Sequence, residues 1–201
     1  MLTFVIRTCK GTAVAAIACA GLAACSTVET QSFQVNQNAS VESAQIASDA
    51  DFGKYDRLHA VDMGIFFPQG AYTSPEDVQQ IRDIFRSAFL SRLEDYVIVT
   101  EPGAGAMTVQ ATLIDFRNAT NQDMMSVRNE LREMAAPGKI LFLMEMRDSV
   151  SGRILARAAD SAKTPTIADE EGEMTDWSSV EGAADHWASL FEQFLDENFG
   201  K

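Results

Sequence analysis

Cysteine is missing from almost the whole chain. The 201-residue sequence has three cysteines, Cys9, Cys19 and Cys25, and none follows the third. A disulfide within the later part of the chain is therefore excluded, and its stability must come from an ordinary hydrophobic core. About 150 residues follow the polar segment that ends near residue 50, which is enough for one domain with such a core.

Basic residues and histidine are also scarce. The chain has 16 Lys and Arg, 29 Asp and Glu, and two His. Removal of Met1–Ala24 takes away Arg7 and Lys10 and no acid, so 14 basic residues remain against 29 acidic ones, a formal charge of −15. Such a surface repels nucleic acid and anionic headgroups, which excludes nucleic acid as a partner. It allows a cationic partner, and solubility alone explains it as well.

Long apolar runs are lacking after the first 24 residues. The first ten residues carry Arg7 and Lys10 and no acid, and a run of small apolar residues from Gly11 to Ala24 is too short to cross a bilayer. This is the anatomy of a signal peptide, which we place at Met1–Ala24. The run closes with Leu22-Ala23-Ala24-Cys25, which resembles the lipobox of bacterial lipoproteins, where a small residue precedes a cysteine that is lipidated before cleavage.

Cys25 is accordingly expected to be the lipidated mature N-terminus, with cleavage after Ala24. Lipidation needs a nucleophilic sulfur, and two or three acyl chains, palmitate among them, hold a protein firmly to a membrane where one does not. By resemblance to the Gram-negative sorting rule, Ser26 in place of Asp implies the outer membrane, facing the periplasm. The alternative is an ordinary secretory signal with Cys25 as a bystander.

The rest of the chain is divided into a tether and a domain. Residues 25–50 are polar after the cysteine and show no sustained period of 2 or 3.6, so they are predicted to be a flexible tether. Residues 51–201 are predicted to form one α+β domain, with a largely antiparallel sheet of about five strands and two main helices packed on one face. The oligomeric state is not set by the sequence.

Hydrophobic periodicity places the elements of this domain. Strands are expected at 58–67, 97–99, 107–116, 140–147 and 153–158; the last two are predicted to pair as a hairpin through the turn formers Asp148–Gly152. Two main helices are expected, one from the N-cap Ser74 to about Tyr96 and one from about Trp177 to Asn198. A further helix is expected around residues 123–134, and an acidic loop through 164–174.

Three pieces of the sequence, in this order and spacing, resemble the bacterial lipoproteins collected as domain of unknown function 3313. They are Phe52-Gly53-Lys54-Tyr55, Glu101-Pro102-Gly103-Ala104-Gly105, and Glu145-Met146-Arg147-Asp148-Ser149-Val150-Ser151-Gly152-Arg153-Ile154-Leu155-Ala156. The resemblance covers about Phe52 to Phe194. It implies an exported lipoprotein with a small α+β domain, and it supplies no catalytic residues. Ser151 stands where the family leads us to expect Thr.

No motif specifies a reaction, a cofactor or a metal. His59 and His186 have no second His or Cys at ligand spacing, and no Gly-x-Ser-x-Gly elbow occurs. Gly103-Ala104-Gly105 lacks the residues that accompany a phosphate loop and is better explained as a tight turn. The acidic residues 169–173 lack the ligand spacing of a calcium loop, and Met144 and Met146 fall on the apolar side of a strand as core residues.

The function expected from these features is that of a non-catalytic binding or accessory lipoprotein of the cell envelope. Its expected partners are the membrane, through the N-terminal lipid, and a protein of the envelope. A narrower form of this hypothesis is that the protein is an auxiliary subunit of an envelope transport complex. The alternative from another class is an envelope hydrolase with an unrecognised Ser/His/acid site, because the order of such residues along a chain does not exclude their meeting in the fold.

Overall fold

A mixed β-sheet carries two helices on one of its faces. The computed structural model describes residues 31–36, 40–67, 74–116, 119, 131–132, 134–163, 166–169 and 172–199. The strands are β1 (Phe33–Val35), β2 (Ser43–Ala47), β3 (Arg57–Ala60), β4 (Gly64–Phe66), β5 (Val97–Val99), β6 (Ala106–Asp115), β7 (Lys139–Asp148), β8 (Ile154–Lys163), β9 (Thr166–Asp169) and β10 (Gly172–Thr175). The helices are α1 (Pro75–Arg92) and α2 (Trp177–Asn198), and a short 3-10 turn covers Phe52–Lys54.

The main sheet is larger than predicted and is not purely antiparallel. Within the described residues its order is β1-β2-β8-β7-β6-β3-β5, with β4 also paired to β6, which makes eight strands. Strand β3 runs parallel to β5 and β6, and β4 runs parallel to β6, whereas the other pairs of this sheet are antiparallel. Strands β3 and β5 are parallel because α1 crosses over between them and returns the chain beside β3 in the same direction. The α+β class and the two helices on one face are confirmed.

The segment predicted as a tether contains two strands of this sheet. Phe33 pairs with Ala47 in an antiparallel β1–β2 ladder, and Ile46 pairs with Ala156 of β8. The prediction of a flexible tether through residue 50 is therefore wrong for the described residues from Gln31 onward. Polar Ser43 and Gln45 alternate with Ala44 and Ile46 along β2, and a short edge region needs only one apolar side, so the low hydrophobicity of this segment concealed it.

The first predicted strand is divided into β3 and β4. Residues 61–63 lie between them, and the Val61 amide still donates to the carbonyl of Val109 at 3.0 Å. The helix predicted around residues 123–134 falls almost wholly outside the described residues. At its predicted end the Ala135 amide donates to the carbonyl of Leu131 at 2.9 Å, and Gly138 turns the chain with φ 76°.

Helix α1 begins as predicted and ends one turn earlier. Ser74 Oγ accepts a hydrogen bond from the Asp77 amide at 3.0 Å, and Pro75 occupies the first helical position. The helix ends at Arg92, so Leu93 and Tyr96, both buried, lie beyond it. Their burial explains why the apolar pattern continued past the helix.

Helix α2 has the predicted bounds and is capped by Asp176. Its carboxylate accepts hydrogen bonds from the Ser179 amide at 3.4 Å and the Ser179 hydroxyl at 2.6 Å, and these bonds, with those from Ser178, lower the pKa of Asp176. The buried face of α2 presents Val180, Ala184, Trp187, Phe191 and Leu195 to the sheet. Among the described residues, no helix has an apolar stretch long enough to cross a bilayer.

An aromatic group joins the two helices to the sheet. Phe85 of α1 and Trp187 of α2 both contact Phe142 of β7, with ring centroids 6.0 and 4.5 Å away. A second, smaller core lies on the opposite face of the sheet around Leu141 and Phe116. The helical layer thus covers one face, and Phe116, Met134 and Ala135 pack against the other.

The β7–β8 hairpin is confirmed, and a second hairpin stands where a loop was predicted. Strands β7 and β8 pair from Lys139–Lys163 up to Arg147–Ile154. Strands β9 and β10 form a separate antiparallel pair, with Thr166 opposite Thr175. Their polar, acidic sequence carries little of the apolar alternation that predicts a strand.

Candidate functional site

The predicted lipidation and cleavage residues lie outside the part of the chain that the structure describes. Cys25 and Ala24 precede Gln31, the first described residue, as does the whole predicted signal peptide. Their assignment stays a prediction.

His59 is part of a hydrogen-bonded series of side chains on the face of the sheet opposite α1 and α2. His59 Nδ1 lies 3.2 Å from Thr108 Oγ1, which is 2.6 Å from Ser149 Oγ. Thr108 therefore stands between the imidazole and the serine hydroxyl, and no described carboxylate lies at ion-pair distance from His59. A histidine that activates a serine contacts its hydroxyl directly and is oriented by a third group. His59, Thr108 and Ser149 therefore do not have the arrangement of a catalytic triad.

His186 lies in the helical layer, on the other side of the sheet. Its side chain is 59% exposed, and Nε2 is 3.9 Å from Asp160 Oδ2. The same carboxylate oxygen accepts a hydrogen bond from Trp187 Nε1 at 2.9 Å. The side chain of Asp160 is only 15% exposed. Asp160 thus orients Trp187, and the two histidines do not form one site.

The remaining sequence candidates occupy structural positions. Gly105 has φ 75°, and its carbonyl accepts from the amides of Asp56 and Arg57, so residues 103–105 form the turn into β6. Met144 and Met146 are buried in the main core, as predicted. The acidic segment 169–173 spans the end of β9 and the start of β10, and its residues 170 and 171 lie outside the described residues.

Asp148 organises the β7–β8 turn. Its Oδ1 accepts from the Ser151 amide and hydroxyl, each at 2.7 Å, and its Oδ2 accepts from the Tyr55 hydroxyl at 2.9 Å. The hydrogen bonds from Ser151 are the main reason that the pKa of Asp148 is lowered to about 2. Burial, followed by the bond to Asp148, raises the pKa of Tyr55. These bonds are those of a turn, and they join it to the 3-10 segment.

A cleft of about 420 Å³ lies between α2 and the β2–β8 strand pair; we name it the α2 cleft. Its floor is formed by small side chains, because Ala44 of β2 pairs with Ala158 of β8 on the face below the helix. Leu190 and Phe194 of α2 line the opposite wall. Alanine ends at Cβ, so these strands do not fill the space beneath α2, and the volume falls in the range of small-molecule sites.

Acidic groups outnumber basic ones among the charged residues of the α2 cleft. Asp160, Glu197 and Arg157 all line it, but Arg157 Nε donates to Glu145 Oε2 at 2.8 Å and is thereby neutralised. Helix α2 contains five Asp and Glu and no Lys or Arg. The arrangement suits an apolar ligand whose polar end is neutral or cationic.

A protein-family model matches most of this domain. The model of the family described as protein of unknown function (DUF3313) matches residues 34–191. The chain belongs to this family. The match starts in β1 and ends in α2, so the DUF3313 region contains most of the α2 cleft, and it confirms the family expected from the sequence. No curated protein matches this DUF3313 chain.

Three solved structures are similar to this DUF3313 chain at low identity. A PelC dodecamer from Paraburkholderia phytofirmans is 12% identical, covers 85% of this chain and 99% of that chain, and has a TM-score of 0.40. A DUF4136 family protein from Bacteroides thetaiotaomicron is 9% identical, covers 84% and 98%, and has a TM-score of 0.41. A DUF330 protein from Xanthomonas campestris is 11% identical, covers 75% and 92%, and has a TM-score of 0.37. At these values the similarities assign no activity or assembly to this chain.

The α2 cleft was missed at the level of sequence. Its signal is the pair Ala156 and Ala158 of β8, two residues apart, which places small side chains on the same face of the strand. Small side chains on a strand leave a cleft only where a helix lies above them, and the position of α2 is not given by the strand's sequence. The pairing of β2 with β8 was also missed, because β2 lies in the segment interpreted as a tether.

Proposed function

We propose that this chain is a non-catalytic binding lipoprotein of the cell envelope. In this proposal lipid on Cys25 holds it to the outer membrane, facing the periplasm, and its ligand occupies the α2 cleft. The observation that carries the proposal is the apolar cleft of about 420 Å³ between the alanine floor of β2–β8 and the wall of α2. The ligand class is a neutral or cationic amphipathic molecule, because the uncompensated charges of the cleft are those of Asp160 and Glu197.

The placement of the histidines favours binding over hydrolysis. His59 reaches Ser149 only through Thr108, and His186 faces an Asp160 carboxylate that is already bonded to Trp187. A hydrolase would need one histidine to contact both a nucleophile and an orienting group. Ester turnover by the purified protein that is lost in His59→Ala or in His186→Ala would support the hydrolase instead.

The proposed anchor rests on the sequence before residue 31. The apolar run that ends at Ala24, the cysteine that follows, and Ser26 are together typical of a lipoprotein destined for the outer membrane. Lipidation would tether the domain without inserting it. A protein of the envelope is the expected macromolecular partner.

Photolabelling of the full-length lipoprotein tests the binding site. The protein is placed in nanodiscs of phosphatidylcholine and irradiated with palmityl alcohol that carries a diazirine in its chain, and peptide mass spectrometry then locates the label. We expect label on α2 peptides that contain Leu190 or Phe194, and its loss in Ala158→Leu, which fills the floor of the cleft. Ala158→Ser, which is nearly isosteric, is the matched control and should keep the label.

Circular dichroism in detergent shows whether the Ala158 variants are folded. Labelling of α2 that is unchanged in a folded Ala158→Leu protein, or label scattered over the surface without preference, would overturn the proposed site. A loss of label that accompanies unfolding of Ala158→Leu is resolved by competition, since unlabelled palmityl alcohol must then displace the probe from the unmodified protein.

A further inference from the structure

A second cleft, of about 400 Å³, lies beneath the other helix, between α1 and the strands β3, β5 and β6. We name it the α1 cleft. Its interior is apolar, with Phe85 and Phe89 of α1 above Val109 and Ala111 of β6. It differs from the α2 cleft in its rim, in its charge and in its position at the β5 edge of the sheet.

The rim of the α1 cleft concentrates exposed apolar side chains. Seven large apolar residues of the described part of the chain are exposed, and three of them, Val61, Leu90 and Ile98, line this cleft. Their exposed fractions are 40%, 47% and 39%. Exposed apolar groups scattered singly need no explanation, but three around one apolar opening indicate a surface that a ligand covers.

The charged groups at the same opening are mainly basic. Arg82 and Arg86 line the cleft from successive turns of α1, and Asp62 faces them from the segment after β3. Arg82 Nε donates to the Met63 carbonyl at 3.4 Å, which leaves most of its N–H groups directed elsewhere. Arg86 Nη2 is 2.9 Å from Asp62 Oδ1, in a pair whose side chains are 65% and 87% exposed. Such an exposed pair is weak and can exchange one carboxylate for another.

We propose that the α1 cleft binds a single-chain amphiphile with a carboxylate head, such as a free fatty acid. The head lies between the guanidinium groups of Arg82 and Arg86, whose planar donors match a carboxylate. The hydrocarbon chain runs inward between Phe89 and Ala111. A volume of about 400 Å³ is at the lower end of small-molecule sites, which suits one chain better than a two-chain lipid.

The acidity of the whole protein does not oppose this site. The formal charge of the complete chain is −13. At physiological ionic strength, charges more than about 8 Å away are largely screened, so Arg82, Arg86 and Asp62, with an excess of one positive charge, determine the local preference. The α2 cleft, where Asp160 and Glu197 outweigh a neutralised Arg157, has the opposite preference. The sign of the ligand's head therefore distinguishes the two clefts.

The two clefts meet at the centre of the core. Met144 and Phe191 line both of them, so these two side chains separate the inner ends of the clefts. The proposed fatty chain accordingly ends against the same residues that bound the ligand space under α2.

The test uses the full-length lipoprotein in phosphatidylcholine nanodiscs with photoactivatable palmitic acid as the probe. We expect label on peptides that contain Leu90 or Ile98, displaced by palmitate and not by cetylamine. The double variant Arg82→Gln, Arg86→Gln should lower this labelling about tenfold, since each lost charge-assisted bond weakens binding. The matched control is Arg153→Gln, because Arg153 also forms a single exposed ion pair, with Asp49, away from the cleft.

The outcomes separate this inference from the proposed function. Carboxylate labelling at Leu90 or Ile98 that is lowered by the arginine variant and unchanged by Arg153→Gln supports the α1 site. Label confined to α2 peptides around Leu190, equal labelling by the acid and the alcohol in the unmodified protein, or acid labelling that the arginine variant leaves unchanged overturns it and leaves the α2 cleft standing. Label near Leu90 with none on α2 for any probe sustains the α1 site and removes the proposed one. Absence of specific label at both sites removes both.

Discussion

The indole of Trp187 stacks on the phenyl ring of Phe142, with centroids 4.5 Å apart and planes 11° from parallel. The same indole donates from Nε1 to Asp160 Oδ2 at 2.9 Å. One side chain of α2 therefore contacts β7 through its face and β8 through its N–H. This double contact fixes the helix over the sheet at the border of the α2 cleft.

Two replacements of Trp187 should destabilise the fold by different amounts. We expect Trp187→Phe to lower the free energy of unfolding by about 1–3 kcal/mol, because the partly buried Asp160 loses a hydrogen-bond donor. Trp187→Ala should lower it by about 3–5 kcal/mol, since the stacked ring is lost as well. Urea unfolding of the full-length protein in nonionic detergent, followed by circular dichroism, measures both. Trp177→Phe, at the partly buried first residue of α2, is the control; equal losses at the two positions would contradict the prediction.

The Asp148 turn should make stability depend on acid pH. The folded pKa of about 2 lies below the ordinary value of 3.8, so the unfolded chain takes up the proton first as the pH falls. The stabilisation is fully present above about pH 5 and is lost as the pH falls toward 2. Asp148→Asn should therefore cost about 1–2 kcal/mol at neutral pH and almost nothing near the folded pKa. Asp62→Asn, in an exposed pair, is the control; a cost for Asp148→Asn that does not vary with pH would contradict this account.

Gly105 and Gly138 should differ in their tolerance of alanine. Both have positive φ, at 75° and 76°, where an added Cβ costs about 1–2 kcal/mol. A Cβ at Gly105 would also lie 3.0 Å from Arg57 Nη2 and 3.1 Å from Asp56 Oδ1, while nothing lies within 4 Å at Gly138. Displacing this exposed pair adds roughly 0.5–1 kcal/mol to Gly105→Ala. Urea midpoints of the two variants test the order, and a larger loss for Gly138→Ala would be inconsistent with it.

Lipidation of Cys25 predicts the mass of the mature N-terminus. Mass spectrometry of the protein from fractionated membranes should find a first residue Cys25 that carries acyl chains. Cys25→Ala should stay uncleaved and unlipidated, because no thiol is present to be modified. Cys19→Ala should be processed normally. An unmodified Cys25 in a protein free of the membrane would remove the anchor from the proposal.

The residue after Cys25 should determine which membrane holds the protein. By resemblance to the Gram-negative sorting rule, Ser26 directs it to the outer membrane, and Ser26→Asp should retain it in the inner membrane. Density-gradient fractionation of cells that produce each form measures the distribution. The same distribution for both forms would count against outer-membrane sorting by this signal.

The sequence predicted the elements whose side chains have one consistent environment. Helix α1 was predicted from the Ser74-Pro75 cap and helix α2 from its apolar stripe, because caps and stripes act within one element. The β7–β8 hairpin was predicted because Asp148 and Gly152 are turn formers between two apolar strands. Local patterns of this kind do not need knowledge of the partner strand.

The features that were missed depend on distant pairing. The alternation of Ala44 and Ile46 became meaningful only through pairing with β8, and the parallel β3–β6 ladder depends on where α1 returns the chain. The clefts are further removed still, because each is a space left between elements. No local pattern shows that Leu90 and Ile98 surround one opening.

The pairing of β2 with β8 sets an order on folding. Ile46 and Ala156 are neighbours in the sheet but stand roughly 110 residues apart along the chain, so loop closure delays their contact. Until β8 has been synthesised, β1 and β2 have only each other, and an isolated two-stranded hairpin is marginally stable in water. A chain that crosses a membrane from its N-terminal end would therefore expose this hairpin to chaperones and proteases throughout export. The part of the sheet that emerges first is the part that is completed last.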